Sequence, residues 1–238
     1  FAMGGLGPAK SNTEEFTASI TATTAGVWAS GGDTSDTFAN AFGAGTQTAA
    51  LKAGGSPPAG GSTNSEEYNG TSWSEGGALG TARYSGVGCG TQTAGLAFGG
   101  FSPAHPNLDN ETEEYNGTSW SEQNNLSTPG ARRGCGTQTA GLVFGGSVVP
   151  GSTTRTNTEE YDGTSYSEGN NLSTGRWGLG GAGTQTAALG TGGLSPGTNP
   201  TNTAATYDGS SWTSGGNYPT TVFGIGLAGS QTAAIGFG

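Results

Sequence analysis

The sequence predicts an all-β fold of five like units forming one domain over residues 1–238, and three observations predict it. A Gln-Thr-Ala string recurs at Gln47, Gln92, Gln138, Gln185 and Gln231, at intervals of 45 to 47 residues. Asn-Gly or Asp-Gly pairs accept the positive φ angles of a two-residue hairpin turn. They fall at Asn69-Gly70, Asn116-Gly117, Asp162-Gly163 and Asp208-Gly209. No stretch of ten residues shows helical periodicity without a glycine inside it.

Two aromatic columns keep step with the glutamines: Phe16, Tyr68, Tyr115, Tyr161, Tyr207, and Trp28, Trp73, Trp120, Tyr166, Trp212. A fixed period of about 46 residues marks a solenoid, a propeller or an array. In the unit running from Arg83 to Gly130, the first strand is expected at Tyr84–Gly90 and the second at Thr93–Phe98, closing on Gly99-Gly100. A loop of variable length leads to a third strand at Thr112–Tyr115, and Asn116-Gly117 turns the chain into a fourth at Ser119–Glu122. Four short antiparallel strands per unit make a propeller blade rather than a solenoid coil. Five units therefore predict a five-bladed β-propeller. Val222–Ser230 and Thr232–Gly238 read as first and second strands, and Thr13–Phe16 and Val27–Ser30 as third and fourth. The last blade is thus expected to be shared between the two termini, with Phe1–Gly4 a surplus second strand; the alternative is a slice of a longer array.

Composition alone points the other way. Leu, Ile, Val and Phe make up about an eighth of the chain, Gly is 49 of 238 residues and the net charge is −10, a profile usually too poor in apolar surface to fold. The repeat resolves the conflict. Glycine-rich first strands such as Gly86-Val87-Gly88-Cys89-Gly90 let neighbouring backbones approach near a propeller axis. The rings of the outer strands then supply the buried area, about 150–250 Å² each.

The paired glycine, the Glu-Tyr, the following Trp and the Arg before the next strand read Gly54-Gly55, Glu67-Tyr68, Trp73, Arg83, and again Gly99-Gly100, Glu114-Tyr115, Trp120. This pattern resembles the kelch repeat in all five units, although Tyr and Trp stand closer together and the first two strands are richer in Gly, Ala and Thr. The strings Gly-Thr-Gln-Thr-Ala and Glu-Glu-Tyr-Asn-Gly-Thr-Ser-Trp are similar to kelch-like repeats of phage and environmental proteins. That resemblance implies a phage tail fibre or other virion-surface or extracellular protein.

The loops after each Gly-Gly, at 6–12, 56–64, 101–110, 147–157 and 194–202, differ in length and sequence while the strands stay nearly constant. Function concentrates on loops held by a rigid scaffold. At the same face lie Arg83-Tyr84, Arg132-Arg133, Arg176-Trp177 and Phe223, with Phe101 and His105 in the third loop. Aromatic rings beside arginine suit a sugar, whose apolar face stacks while its hydroxyls or carboxylate accept hydrogen bonds. These nine residues are the candidate ligand-binding set, and a glycan or host-surface receptor is the expected partner. The kelch resemblance implies a structural reading instead, with each arginine pairing with a glutamate of the next blade and each ring packing in the seam between blades.

Other chemistry finds little footing. The Glu-Glu pairs at Glu14, Glu66, Glu113 and Glu159 recur from unit to unit, as scaffold does; a glycosidase needs one privileged pair. His105 is the sole histidine, so neither a multi-histidine metal site nor an independent catalytic triad is expected, and no cofactor is implied. Seven Lys and Arg against 17 Asp and Glu, without a basic cluster, speak against nucleic acid. No apolar run is long enough for membrane insertion as a helix. Cys89 and Cys135 stand where other units have Ala44, Ala182 and Ala228, and read as free, buried thiols. The expectation is a non-enzymatic recognition module or, alternatively, a structural spacer of a fibre or array.

Overall fold

Short strands joined by tight turns and single loops satisfy their backbone groups against sequence neighbours, which favours antiparallel, local pairing. A computed structural model describes residues 2–3, 13–17, 27–57, 60–103, 108–148, 153–197 and 199–237, and shows this arrangement. The first three strands are β1 (Ala2–Met3), β2 (Thr13–Thr17) and β3 (Val27–Ser30), forming one sheet in that order. Four complete four-stranded sheets follow. They comprise β4 (Phe42–Thr46), β5 (Ala49–Ala53), β6 (Ser65–Tyr68) and β7 (Trp73–Glu75), then β8 (Val87–Thr91), β9 (Ala94–Gly100), β10 (Asp109–Tyr115) and β11 (Trp120–Gln123). The next sheet is β12 (Ala131–Thr137), β13 (Ala140–Ser147), β14 (Thr158–Tyr161) and β15 (Tyr166–Gly169). In the last, β16 (Gly180–Thr184), β17 (Ala187–Thr191), β20 (Ala204–Tyr207) and β21 (Trp212–Ser214) pair in line, with a small hairpin β18 (Leu194–Ser195) and β19 (Asn199–Pro200) in the intervening loop. Strands β22 (Gly226–Gly229) and β23 (Ala234–Phe237) end the chain as a two-stranded sheet.

The expected strands are present with shifted ends. β8 starts three residues late because Ser85 takes a φ of +52°, leaving Tyr84 in an isolated bridge with Phe101. β10 starts early, at Asp109, and carries a bulge before Thr112. At the termini, β2 pairs with β1 through Ala2 opposite Glu14 and Met3 opposite Thr13, while β23 pairs only with β22.

The sheets stack in chain order through their first strands: β4 packs on β8, β8 on β12, β12 on β16 and β16 on β22. Glycine permits this approach, since a Cβ on Gly88 would stand 2.8 Å from the Gly43 carbonyl oxygen of the preceding sheet. Apolar side chains fill the seams, as where Cys135, Leu142, Phe144, Leu172 and Leu179 cluster with Tyr207. The tyrosine column is buried throughout, and each ring meets its fourth-strand neighbour: Tyr68–Trp73 at 5.0 Å, Tyr115–Trp120 at 5.0 Å, Tyr161–Tyr166 at 4.8 Å and Tyr207–Trp212 at 5.1 Å. The fold is thus all-β and propeller-like, with an aromatic core.

The glutamine column explains the regularity. Gln92 sits in the turn between β8 and β9, and its side-chain NH2 donates to the carbonyls of Ala50 at 3.0 Å and Tyr68 at 2.7 Å, one sheet back. Those two residues are cross-strand partners on β5 and β6. Gln138 repeats the clamp on Gly95 and Tyr115, Gln185 on Gly141 and Tyr161, and Gln231 on Ala188 and Tyr207. Replacing Gln138 by Ala should lower stability by about 1–3 kcal/mol, because two backbone acceptors lose their donors. Urea unfolding should show this as a lower midpoint with an unchanged slope. Gln138→Glu should cost at least as much at neutral pH, since an ionised carboxylate has only acceptors to face two carbonyls.

Candidate functional site

In the four complete sheets the variable loop leaves the second strand through a Gly-Gly pair with both φ angles positive, a conformation that favours glycine. Gly99 and Gly100 have φ of +60° and +106°, and a Cβ on Gly100 would lie 2.7 Å from the Tyr84 carbonyl oxygen. The close approach lets Tyr84 and Phe101 exchange backbone hydrogen bonds, of 3.0 and 2.9 Å, and lays their half-buried rings in a stack at 5.3 Å and 22°. Trp177 and Leu194 exchange the same backbone bonds in the fourth complete sheet, at 3.1 and 2.8 Å. The half-buried Trp177 ring meets Phe223 edge-on at 4.7 Å and 71°, and Phe223 is 38 % exposed. The structure therefore joins four predicted aromatics into two pairs on different sheets. His105 lies outside the described residues.

The arginines have a different place. Arg83 is fully buried, with Nη2 on Glu113 and on Glu111 at 3.2 Å, Nη1 on the Glu111 carbonyl at 2.9 Å, and Asp109 at 3.7 Å. Arg132, equally buried, donates from Nη2 to Glu159 at 2.9 Å and from Nη1 to the Gly145 carbonyl at 3.0 Å. Burial lowers its pKa to about 10, against the opposing pull of Glu159. Arg176 is 4 % exposed and gives Nη1 to the carbonyls of Gly192 and Thr203. Arg133, half-buried on β12, donates from Nε to the Leu179 carbonyl at 2.8 Å, and burial lowers its pKa too. The expectation that arginines line the loop face as sugar donors is corrected for Arg83 and Arg132. Their guanidinium groups are held inside the sheets, paired with glutamates two strands away, because an unpaired charge there would be costly.

Alternation along the third strand assigns the Glu-Glu pairs two separate duties. Glu66, Glu113 and Glu159 face a buried cation. Glu67, Glu114 and Glu160 face the next sheet and accept from Tyr115 at 2.6 Å, Tyr161 at 3.0 Å and Tyr207 at 2.6 Å. The sequence reading overlooked Lys52, whose Nζ meets Glu66 at 2.7 Å with both side chains buried. Its signal was a lone lysine in an otherwise apolar second strand. Cys89 and Cys135 are free and buried, and desolvation pushes the Cys135 thiol up to about 12.

Among the described residues, no group of three or more His, Cys, Asp or Glu side chains could hold a metal, and no helix is long and apolar enough to cross a membrane. No protein-family model matches the sequence, and no curated protein matches it. The chain is similar in structure to YjhT, with a TM-score of 0.74 over 94 % of this chain and 88 % of that one, at 12 % sequence identity. That likeness concerns the fold.

Removing Arg132 leaves the buried Glu159 without its cation, so Arg132→Ala should cost about 3–5 kcal/mol. Arg176→Ala deserts no carboxylate and should cost less, a ranking that thermal melts of the two variants will read directly.

Proposed function

We propose that the chain is a five-bladed, kelch-like propeller that acts as a non-enzymatic recognition module, binding a carbohydrate or surface receptor through its variable-loop face. In this reading the fifth blade brings β22 and β23 beside β2 and β3, with β23 taking the edge of β2 that β1 holds in the structure. The clamp of Gln231 on the fourth complete sheet supports it by seating the last hairpin as an additional unit. The binding reading rests on the two aromatic pairs at the roots of the variable loops, Tyr84 with Phe101 and Trp177 with Phe223, the latter open to solvent. Such rings offer apolar faces for stacking at little entropic cost. A virion-surface or extracellular setting, in which display on a fibre would multiply a weak single site, follows from the repeat resemblance.

A second reading, a structural spacer or assembly unit, is favoured by one observation. Ile235 is 47 % exposed, whereas the residues at its place in the first three complete sheets, Leu51, Leu96 and Leu142, are buried. A glycan array at physiological salt separates the two, with wild type run beside Trp177→Ala and Tyr84→Ala. Saturable binding that is lost in a variant still melting cooperatively is the expected result. A folded wild type that binds no glycan would turn the account toward the spacer.

A further inference from the structure

One glutamate column is kept in three complete sheets and lost in the fourth, while the groups that receive it remain. Glu66, Glu113 and Glu159 each accept at Oε1 from a buried cation, namely Lys52, Arg83 and Arg132. Each accepts at Oε2 from a backbone N–H of the incoming connection: Ser35 at 2.9 Å, Gly80 at 2.7 Å and Ser127 at 2.8 Å. Ser127 adds its hydroxyl at 2.7 Å. In the fourth complete sheet the same position is Ala205, on β20, which holds the third-strand place of β10 and β14 and keeps their closing tyrosine as Tyr207.

Both receiving groups are still present. Leu172-Ser173-Thr174 repeats Leu126-Ser127-Thr128. The connection is seated alike, with Leu172 N–H on the Thr156 carbonyl as Leu126 N–H is on Asn110, both at 2.9 Å. Arg176 holds the guanidinium place. Its Nη1 donates to Gly192 and Thr203, which match the Gly145 carbonyl used by Arg132 and the Glu111 carbonyl used by Arg83. Arg83 and Arg132 turn Nη2 to their glutamates, whereas no described residue accepts from Arg176 Nη2 or Nε, and Ala205 stands at the glutamate's place on the third strand. No acidic side chain of the described residues pairs with Arg176, and its pKa is lowered by burial with no opposing charge. Ser173, Thr174 and Thr203 are exposed.

We infer that Arg176, together with the backbone N–H and hydroxyl of Ser173, forms a binding site for a ligand carboxylate, supplied in the other sheets by the chain's own glutamate. The cation is 4 % exposed, so a planar carboxylate matched to the fork would relieve an unpaired buried charge. The site stands apart from the carbohydrate reading, since it uses none of the aromatic pairs.

The test is an NMR titration of the ¹⁵N-labelled full chain with sodium acetate, against sodium chloride at equal ionic strength. The Ser173 amide and Arg176 Nε signals should shift saturably, while the Ser127 amide, with Glu159 in place, should not. Arg176→Gln should weaken acetate by about tenfold or more, the loss of a charge-assisted hydrogen bond. Ala205→Glu should abolish the titration and raise the melting temperature. Equal shifts at Ser127 and Ser173, an Arg176→Gln titration matching wild type, or tighter saturation by inorganic phosphate than by acetate would each overturn the assignment. Should Ala205→Glu fail to fold, the Arg176→Gln comparison decides alone.

Discussion

Everything in this molecule depends on how one sheet holds the next, and the central contact is a primary amide. In four successive first hairpin turns a glutamine places its two N–H donors on two carbonyls of the preceding sheet, at distances between 2.7 and 3.1 Å. The acceptors are a cross-strand pair at the turn end of the second and third strands. The clamp therefore fixes the neighbour's register as well as its distance. A hydroxyl has one donor and a carboxylate none, so glutamine suits the role in a way that few residues could.

That contact makes the unusual composition workable. With the sheets located by hydrogen bonds at their turn ends, the first strands can be glycine and alanine, close enough that a Cβ on Gly181 would sit 3.1 Å from the Gly134 carbonyl oxygen. Burial then falls to the tyrosine column and its fourth-strand partners, which pack tilted at about 5 Å, the range in which aromatic pairs add to their area term. The tyrosine hydroxyls reach glutamates of the preceding sheet, and the buried cations bind the neighbouring glutamates within each sheet. A chain poor in aliphatics is thus held by rings and by satisfied polar groups.

The repeat, the hairpin turns and the strands of the central units were legible because they are written locally, in dipeptides and in columns of like residues. The arginines were legible only in part: pairing with a glutamate was one of two readings, but that the partner of Arg83 and Arg132 lies in the same sheet was not. Arg132 and Glu159 are 27 residues apart, and their meeting depends on how the first and third strands lie across the sheet. The termini hold a different ambiguity. Phe1-Ala2-Met3-Gly4 and Ile235-Gly236-Phe237-Gly238 are equivalent stretches of second strand, so sequence alone offers β2 two partners, and in the structure β1 takes the place. The hairpin β18–β19 also went unread, since its two-residue strands carry no alternation. Of the candidate site, sequence placed Tyr84, Phe101, Trp177 and Phe223 on one face but not in pairs: Tyr84 meets Phe101 across the Gly-Gly turn, and Trp177 meets Phe223 across two units through the stacked sheets.

The central claim is the glutamine clamp, and side-chain amide hydrogen exchange measures it most directly. In ¹⁵N spectra of the folded chain, the NH2 protons of Gln92, Gln138, Gln185 and Gln231 should exchange far more slowly than those of Gln123, whose amide bonds only the exposed Ser121 hydroxyl. Equal exchange at all of these glutamines would mean that the sheets are held together by something else.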